Sequence, residues 1–487
     1  MTTTRAFQSH PDSYMSREEC EAASRVRKRQ TNPRYSNFQQ SHFTAGDEEQ
    51  FQSYRNTVNG DVCVPNIDIS SNLFAEQPFP SWSKYGDIGA TAVIETFRYI
   101  FNKFKKGIFV KIQENRMVVF LPFSKANFTN EWSSHIRVDP KYGNLDTFLR
   151  TFTGAGYTYN RRKVNKNTNE WYANNCIMRY DINPRNRRAN EGDTNVGTIK
   201  NMLHTLCSKR VVPDIEFFMN RRDFPLLTRD GTEPYDNIWG DVPLVSYNLP
   251  KYLPILSMCK TNRYADILSP THEDWARVQS LNGVWFPRNC REYNEVFNTP
   301  WEDKKETAVF RGASTGCGVT IETNPRLKLA YISSQQDDKQ GSIPLVDAGI
   351  TKWNLRPRKL KGSLYLQSIE VQKLNARGIH LVDYLSLREQ SSDKYIINID
   401  GHVSAFRLSI ELGMGSVVLL VESPWKLWYS DLLIPYTHYV PVKSDLSDLL
   451  KQIKWCRDND NKCKEIVTNS TSFFNTYIQE DGILDYL

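Results

Sequence analysis

The sequence predicts an α/β protein made of two domains. The chain has 487 residues, more than a single hydrophobic core normally organises. Its composition, 39% hydrophobic and 24% charged, is typical of a globular protein. In the second half, residues 394–421 alternate an apolar run, a polar turn, a helical pattern and another apolar run. Residues 198–219 show a similar helix-to-strand pattern, so the alternation occurs twice along the chain.

The first half is predicted to contain a helix, a hairpin and a helix–strand unit. Apolar residues at helical spacing over 88–104 predict the helix. The apolar runs 107–112 and 117–121 flank a polar turn, which predicts a β-hairpin. A helix over 198–206 then leads into a buried strand over 211–219.

The second half is predicted to contain further parallel strands and helices. The predicted strands are 307–310, 394–399, 416–421 and 439–442. The predicted helices are 325–332, 404–412 and 446–458. We expect a flexible polar arm over 1–45, where aliphatic residues are too few to offset the entropy of ordering. The N-terminal α/β domain is assigned to 46–285 and the C-terminal α/β domain, with its terminal helices, to 286–487.

Charge, cysteines and hydropathy limit the classes of partner and compartment. The net charge of +7 is mild and no Lys/Arg stripe with interleaved aromatics occurs, so no nucleic-acid binding is expected. Nine scattered cysteines without C-x-x-C spacing predict reduced thiols. The absence of a signal core, of an ER-retention signal and of any run of eighteen apolar residues predicts a cytoplasmic protein without membrane insertion.

The segment Asn398–Arg407 carries the strongest functional signal. It joins a strand to a helical run through Asp400-Gly401, and turns of this kind at strand ends hold phosphorylated ligands. A helix N-terminus there would offer free N–H groups, Ser404 a hydroxyl and Arg407 a bidentate clamp. From these residues alone, a flavin, a nicotinamide cofactor, a nucleotide and a sugar phosphate remain open.

Two other segments are candidates for chemistry. Asp223 follows a predicted buried strand in Arg-Arg-Asp-Phe-Pro, where it is either a general base or a salt-bridged loop residue. The loop at 311–318 is rich in small residues and lets backbone approach an anion, although it matches neither a Walker loop nor G-x-G-x-x-G. Asp266, Asp347 and His438 are interpreted as structural.

Six ordered motifs resemble glycosyltransferase family 90, the family of the Rumi-like protein O-glucosyltransferases and the fungal capsule xylosyltransferases. They are RRDFP, ADILSP, FRGASTG with NPR, LVDAGIT, IDGHVSAFRL and HYVPVKSDLSDLL, within residues 205–475. The stretch at 107–132 resembles the version of the family found in giant DNA viruses.

The resemblance implies a GT-B fold, with two Rossmann-like domains facing across a cleft. It implies inverting transfer of glucose or xylose from a UDP-sugar to a protein or glycan hydroxyl, with no cofactor or metal required. It assigns the general base to Asp223. It assigns donor binding to Arg311, Gly312, Ser314, Thr315, Arg326, Asp400, Gly401, Val403, Ser404, Ala405 and Arg407.

Animal members of the family are secretory proteins with disulfide bonds, whereas this sequence shows neither a signal peptide nor a disulfide framework. This difference puts in doubt an EGF-like protein domain, the acceptor of the animal enzymes, as the acceptor here. The alternative function is that of an inactive family member, acting as a carbohydrate-binding or structural virion protein. The residues Asp223, Arg326 and Arg407 favour an active enzyme. The sequence does not indicate the oligomeric state.

Overall fold

The computed structural model describes residues 90–104, 106–124, 139–143, 147, 194–229, 251–279, 295–336, 343–360, 363 and 365–487. The predicted arm at 1–45 lies outside the described residues, as does the predicted domain boundary near 285. No helix in the described ranges is long and apolar enough to cross a membrane.

The first half forms a mixed five-stranded sheet. Its strands are β1 (Lys106–Gln113), β2 (Arg116–Ser124), β3 (Ile215–Asn220), β4 (Ile255–Ser257) and β5 (Ile267–Leu268). The order is β2-β1-β3-β4-β5, with β3, β4 and β5 parallel and the β1–β2 hairpin antiparallel. The hairpin is therefore confirmed. Only the three parallel strands carry the Rossmann-like pattern that the resemblance implied for this half.

The helices of the first half are α1 (Ala90–Tyr99), α2 (Thr194–Lys209) and α3 (His272–Val278). A π-helical turn, Ile100–Phe104, continues α1. The predicted strand at 211–219 starts four residues late, because the residues before Ile215 bond to the hairpin turn, one through a backbone N–H and one through a side-chain carboxylate. Asn115 accepts a hydrogen bond from the Val212 N–H at 2.6 Å, and Asp214 accepts one from the Glu114 N–H at 2.6 Å.

The second half forms an all-parallel five-stranded sheet. Its strands are β6 (Lys305–Ala313), β7 (Val346–Lys352), β10 (Asp393–Asn398), β11 (Val417–Val421) and β12 (Val440–Val442). A separate antiparallel pair consists of β8 (Arg358–Lys359) and β9 (Leu366–Gln367). The sheet order β12-β11-β10-β6-β7 reverses direction between β6 and β10. In doubly wound sheets, ligands bind at the carboxyl ends of the two strands that flank such a switch point.

The helices of the second half are α4 (Pro325–Ser334), α5 (Val371–Asn375), α6 (Leu387–Gln390), α7 (Leu408–Glu411), α8 (Leu449–Asp458), α9 (Asp460–Tyr477) and α10 (Glu480–Tyr486). The prediction of a helix from residue 404 was wrong, because α7 spans only four residues and begins at Leu408. The Asp400 carboxylate accepts the Ala405 N–H at 2.8 Å and the Gly401 N–H donates to the Val403 carbonyl at 3.1 Å. These local bonds hold the segment as a loop in competition with a helix.

Buried apolar side chains from the two halves of the chain form one shared cluster. Val110 and Trp275 from the first half belong to it, together with Val309, Val418 and Trp428 from the second. The C-terminal helix α10 also binds back to the first half. The following ion pair and hydrogen bonds make that contact: Arg210 to Asp485 at 2.5 Å, Arg210 to Asp481 at 3.0 Å, and Gln279 to Glu480 at 2.7 Å. The shared cluster thus fixes how the ends of the two sheets meet.

Candidate active site

Two loops meet at the switch point, and Arg326 ties them together. Its Nη1 donates to the Ala313 carbonyl at 3.1 Å and to Thr315 Oγ1 at 2.7 Å, at the end of β6. Its Nη2 donates to the Ile399 carbonyl at 3.0 Å and its Nε to the Asp400 carbonyl at 3.1 Å, at the end of β10. A guanidinium group has five N–H donors, so most of them are used by the loops themselves.

The start of α4 positions Arg326. Asn324 is the N-cap, and its side-chain oxygen accepts hydrogen bonds from the backbone N–H groups of Arg326 at 3.0 Å and Leu327 at 3.3 Å. Pro325 occupies the first helical position, where no N–H is needed. Asn324 is fully buried beneath the loop, so the sequence Asn-Pro-Arg sets both the helix start and the direction of the arginine.

Arg407 lies beside Arg326 over the same aromatic ring. The guanidinium carbons of Arg407 and Arg326 are 5.0 Å and 5.6 Å from the centroid of the Phe310 ring. Arg407 Nη1 donates to the Arg311 carbonyl at 2.7 Å, and its Nε forms an ion pair with fully buried Glu411 at 2.9 Å. Its Nη2 is buried and has no hydrogen-bond partner within the described ranges, so the two N–H groups of this nitrogen remain for a ligand.

Two predicted donor-binding side chains have partners inside the protein. The Arg311 guanidinium forms an ion pair with Asp347 at 2.9 Å and donates to the Asp347 carbonyl at 2.8 Å. The fully buried Ser314 hydroxyl accepts the Asn354 N–H at 2.8 Å. These contacts join β6 to β7, so the two side chains serve the fold, while their backbone contributes to the loop.

The segment from Asp400 to Ala405 forms the opposite wall. Val403 and Ala405 are buried, Ser404 is partly buried, and burial raises the pKa of the Asp400 carboxyl. Gly312 and Gly401 both face the Arg326 side chain, since an added Cβ on either would lie 3.5 Å from its guanidinium. Nine of the eleven predicted donor-site residues, all except Arg311 and Ser314, therefore lie around this one crevice.

Gly401 is required because the Thr315 side chain lies close to its Cα, and not because its backbone adopts an unusual conformation. A Cβ at this position would lie 2.5 Å from Thr315 Oγ1 and 3.2 Å from its Cβ. We predict that Gly401→Ala rotates Thr315 away from Arg326 and costs about 1 kcal/mol of unfolding free energy, the usual worth of one hydrogen bond. Denaturant unfolding measures it. In a Thr315→Ala background the cost should shrink, and equal costs in the two backgrounds would contradict the steric explanation.

The turn that carries Asp223 is built by Asn220 at the end of β3. Asn220 is buried, its Oδ1 accepts the Arg222 N–H at 2.8 Å, and its Nδ2 donates to the Phe224 carbonyl at 2.5 Å. Arg222 Nε donates to the Phe104 carbonyl at 2.9 Å. Asp223 between them is exposed. A rigid turn thus presents one carboxylate to solvent at the end of the first sheet.

Cys259 joins this turn to the Asp400 loop. Its thiol is fully buried, donates to the Asp223 carbonyl at 3.2 Å and is hydrogen-bonded by the Ser404 backbone amide. Burial raises the pKa of this thiol far above its ordinary value, so it remains protonated. The structure therefore brings Asp223 next to the loop at Ser404, although the two lie far apart in the sequence.

Three residues of the site were not predicted from the sequence: Arg356, Arg358 and His402. Arg358 is 7% exposed, and its Nε and Nη1 have no hydrogen-bond partner within the described ranges. Burial, with nearby Arg356, lowers the pKa of Arg358 to about 10. Arg356 is exposed, and its charge also lowers the pKa of Arg222, which burial brings to about 10. The signal in the sequence was Arg356-Pro357-Arg358, in the segment that leads from the end of β7 at Lys352 into β8.

The pKa of His402 shows the effect of the positive charges at this site. Burial, together with the charges of Arg358, Arg356 and Arg326, lowers the pKa of His402 to about 4. No carboxylate among the described residues lies within ion-pair distance of Arg326, Arg356 or Arg358. Three guanidinium groups therefore act on this imidazole, and Arg407, paired with Glu411, lies beside Arg326. Asp400 and Glu411 offset part of the charge of Arg326, and the remaining positive charge favours an anionic ligand.

The depressed pKa of His402 predicts a pH-dependent stability. Between pH 6.5 and 4 the unfolded state binds a proton that the folded state does not, so the unfolding free energy falls as the pH falls. From pH 7 to pH 5 the loss is about 2 kcal/mol for one such histidine. We predict that His402→Gln removes most of this loss in denaturant unfolding, whereas exposed His204→Gln leaves it unchanged. Equal pH dependence in wild type and His402→Gln would contradict the assignment.

Three residues interpreted as structural have structural contacts. Buried Asp266 accepts the Leu226 and Leu227 N–H groups at 2.8 and 2.7 Å. Burial raises its pKa to about 6. Asp347 pairs with Arg311 as described above, and His438 Nδ1 accepts the Ile434 N–H at 3.0 Å. Neither the two carboxylates nor the imidazole ring of His438 adds a second acid or base to the crevice.

Comparison with known proteins decides the family. The profile of Glycosyl transferase family 90 matches residues 157–487, about two thirds of the chain. The chain belongs to this family. The family 90 match contains Asp223, Arg326, Arg407 and the Arg-Pro-Arg segment, so the crevice described above lies wholly within the shared region.

Relatives of this family 90 chain occur in viruses and in animals. An uncharacterized protein of Invertebrate iridescent virus 6 is 47% identical over 91% of this chain and 41% of its own length. An uncharacterized protein of Frog virus 3 is 34% identical over 87% of this chain and 44% of its own length. Protein O-glucosyltransferase 3 of Homo sapiens is 29% identical over 58% of this chain and 47% of its own length. The chain thus spans less than half the length of these relatives.

Proposed function

We propose that this family 90 chain transfers a sugar from a UDP-sugar to a hydroxyl group of a protein or glycan. The observation that carries the proposal is the Cys259 bridge, which sets exposed Asp223 beside the loop at Ser404 within a positive crevice. A glycosyl transfer needs both parts together, a base for the acceptor hydroxyl and a place for the departing diphosphate.

The diphosphate is assigned to Arg407, Arg358 and Arg356, with backbone from the Gly401 loop. Arg407 and Arg358 hold buried N–H donors that find no partner in the described part of the chain, and charged donors of this kind bind phosphate oxygens bidentately. Arg326 contributes charge and keeps the two loops in register. Because α7 begins only at Leu408, the helix dipole plays a smaller part than the guanidinium groups. Without a metal ion, these groups must neutralise the leaving UDP.

Asp223 is assigned as the general base. Its exposed carboxylate takes the proton from the acceptor hydroxyl as that oxygen attacks the anomeric carbon and the bond to UDP breaks. Attack on the face opposite the leaving group inverts the configuration. The Homo sapiens relative is a protein O-glucosyltransferase by name, which supports glucose as the donor sugar and a protein as one acceptor class. Xylose is the second donor that the family resemblance suggests.

The test is hydrolysis of UDP-sugars by the purified chain, with glucose, xylose, galactose, N-acetylglucosamine and glucuronic acid donors. One donor should be consumed in preference to the others, and activity should persist after EDTA treatment. If activity is lost with EDTA and returns only with a divalent ion, the metal-free mechanism is wrong. If no donor is hydrolysed and UDP does not bind in calorimetry, the second candidate, a non-catalytic carbohydrate-binding family member, replaces the first.

A further inference from the structure

A cavity of about 400 Å³ lies apart from the candidate active site, on the side of the second half that carries α5. Val319, Ile321 and Leu374 form its apolar base, and they belong to a buried cluster with Ile350 and Leu327. The volume falls within the range of about 300–1,000 Å³ that small-molecule sites occupy. None of the residues assigned above to Asp223 chemistry or diphosphate binding lines this cavity.

The charged residues of the wall neutralise one another. They form three ion pairs: Asp139 with Lys141 at 3.3 Å, Glu322 with Arg377 at 2.9 Å, and Glu370 with Lys373 at 2.8 Å. Among the described residues that line the cavity, three acidic and three basic side chains leave no net charge. Each exposed ion pair of this kind is weak. The summed electrostatic field of the wall is therefore near zero, and this sum decides which ligands bind. The active-site crevice, with its excess of guanidinium groups, has the opposite character.

The uncharged part of the wall offers one aromatic ring and several hydrogen-bonding groups. Tyr365 is half-buried, and Gln367 is exposed with its Nε2 donating to Ser363 Oγ at 3.1 Å. The Ser368 hydroxyl donates to the Leu355 carbonyl at 3.1 Å, which leaves its oxygen as an acceptor. The amide oxygen of Gln367 makes no hydrogen bond within the described ranges and adds a second acceptor.

We infer that this cavity binds a neutral saccharide. A sugar ring has an apolar face of C–H groups, which packs on a tyrosine ring and on aliphatic side chains. Its rim of hydroxyl groups both donates and accepts, which matches a wall of hydroxyl and amide groups. A phosphate, a carboxylate or a polyamine would find no opposite net charge here. The saccharide is therefore uncharged, and the site is separate from the one that holds the nucleotide.

The cavity shares a loop with the candidate active site. The β6–α4 loop contributes Thr315 to the crevice at its beginning and Val319–Ile321 to the cavity in its later part. Saccharide bound here thus touches the element that Arg326 ties to β10. The inference does not depend on the proposed transferase reaction, because binding is expected whether or not the chain turns over a donor.

The test is saturation-transfer NMR on the full chain with maltotriose, cellotriose, chitotriose and lactose, and with sialyllactose as a charged comparator. At least one neutral sugar should give signals, and its titrated affinity should fall about tenfold or more in Tyr365→Ala and Gln367→Ala. The matched control is Tyr384→Ala, an exposed tyrosine of the same half that does not line the cavity. Thermal unfolding checks that each variant is folded. If Tyr365→Ala does not fold, Gln367→Ala still tests the site, because Gln367 is exposed and its substitution should not disturb the fold.

UDP calorimetry on the same variants separates the two sites. Unchanged UDP affinity alongside lost saccharide binding supports the inference. Three results would overturn it: no signal from any neutral sugar at millimolar concentration, tighter binding of sialyllactose than of lactose, or equal binding by the cavity variants and Tyr384→Ala. Loss of UDP affinity in Tyr365→Ala would also overturn it, because the cavity would then belong to the nucleotide.

Discussion

Asp223→Asn is expected to lower the turnover of the preferred UDP-sugar and acceptor about 10²–10⁴-fold, the usual contribution of a general base. Asparagine keeps the size and shape of aspartate but cannot take up the acceptor proton. Asp223 is exposed, and its turn is held by Asn220 and Cys259 through backbone groups, so the substitution leaves the fold unchanged. UDP affinity should stay within about twofold, the range expected for a surface change.

Initial rates with the donor found in the hydrolysis panel measure the first effect, and calorimetry measures the second. The control is Asp383→Asn, which changes an exposed aspartate outside the crevice and should leave both quantities unaltered. Turnover equal to wild type in Asp223→Asn would remove this residue from the mechanism. Loss of UDP affinity without loss of turnover at saturating donor would show that Asp223 binds the donor and does not act as the base.

Arg407→Ala is expected to weaken UDP binding about 10–100-fold, as for the loss of a charged hydrogen bond of about 1.5–3 kcal/mol. It is also expected to destabilise the protein by about 3–5 kcal/mol, because fully buried Glu411 loses its cation. Asn398 still donates to Glu411 at 2.6 Å but carries no charge. Burial already raises the pKa of Glu411, so the variant should recover stability at low pH, where this carboxyl is protonated.

A double variant separates the two effects of Arg407. In Arg407→Ala with Glu411→Gln, the buried charge is gone and the unfolding free energy should return most of the way to wild type. UDP affinity should remain low, since the guanidinium is still missing. Denaturant unfolding and calorimetry on wild type, both single variants and the double variant complete the cycle. Recovery of UDP affinity in the double variant would show that Arg407 acts only through the fold.

The sequence predicted most of the elements and the identity of the two loops at the switch point. Apolar periodicity located β10, β11 and α4 to within two residues, because buried parallel strands and capped helices have strong local signatures. Prediction of element boundaries failed where long-range or side-chain hydrogen bonds compete with the local sequence pattern. The Asp400 carboxylate takes the Ala405 N–H and shortens the expected helix to α7, and Asn115 takes the Val212 N–H and delays β3.

Individual roles at the site depended on neighbours that are remote in the chain. Arg311 and Arg326 look equivalent in the sequence, yet one pairs with Asp347 on the next strand and the other ties β6 to β10. Arg358 was not singled out in the sequence. In the structure its Nη2 donates to the Ser314 and Asn354 carbonyls, while its buried Nε and Nη1 have no hydrogen-bond partner among the described residues. Side-chain partners across a sheet follow from strand order, which a local pattern does not contain.

The sequence alone determined the α/β class and the resemblance to family 90, and it predicted an anion-binding loop at Asp400–Arg407, because each inference rests on patterns that are local in the chain. Only the tertiary structure decided that Cys259 sets Asp223 against that loop and that Arg326, Arg356, Arg358 and Arg407, which come from three separate segments, lie in one region. It alone also revealed the neutral cavity beside α5. The physical reason is the same in each case: long-range contacts and the field of many charges arise only when distant segments are packed together.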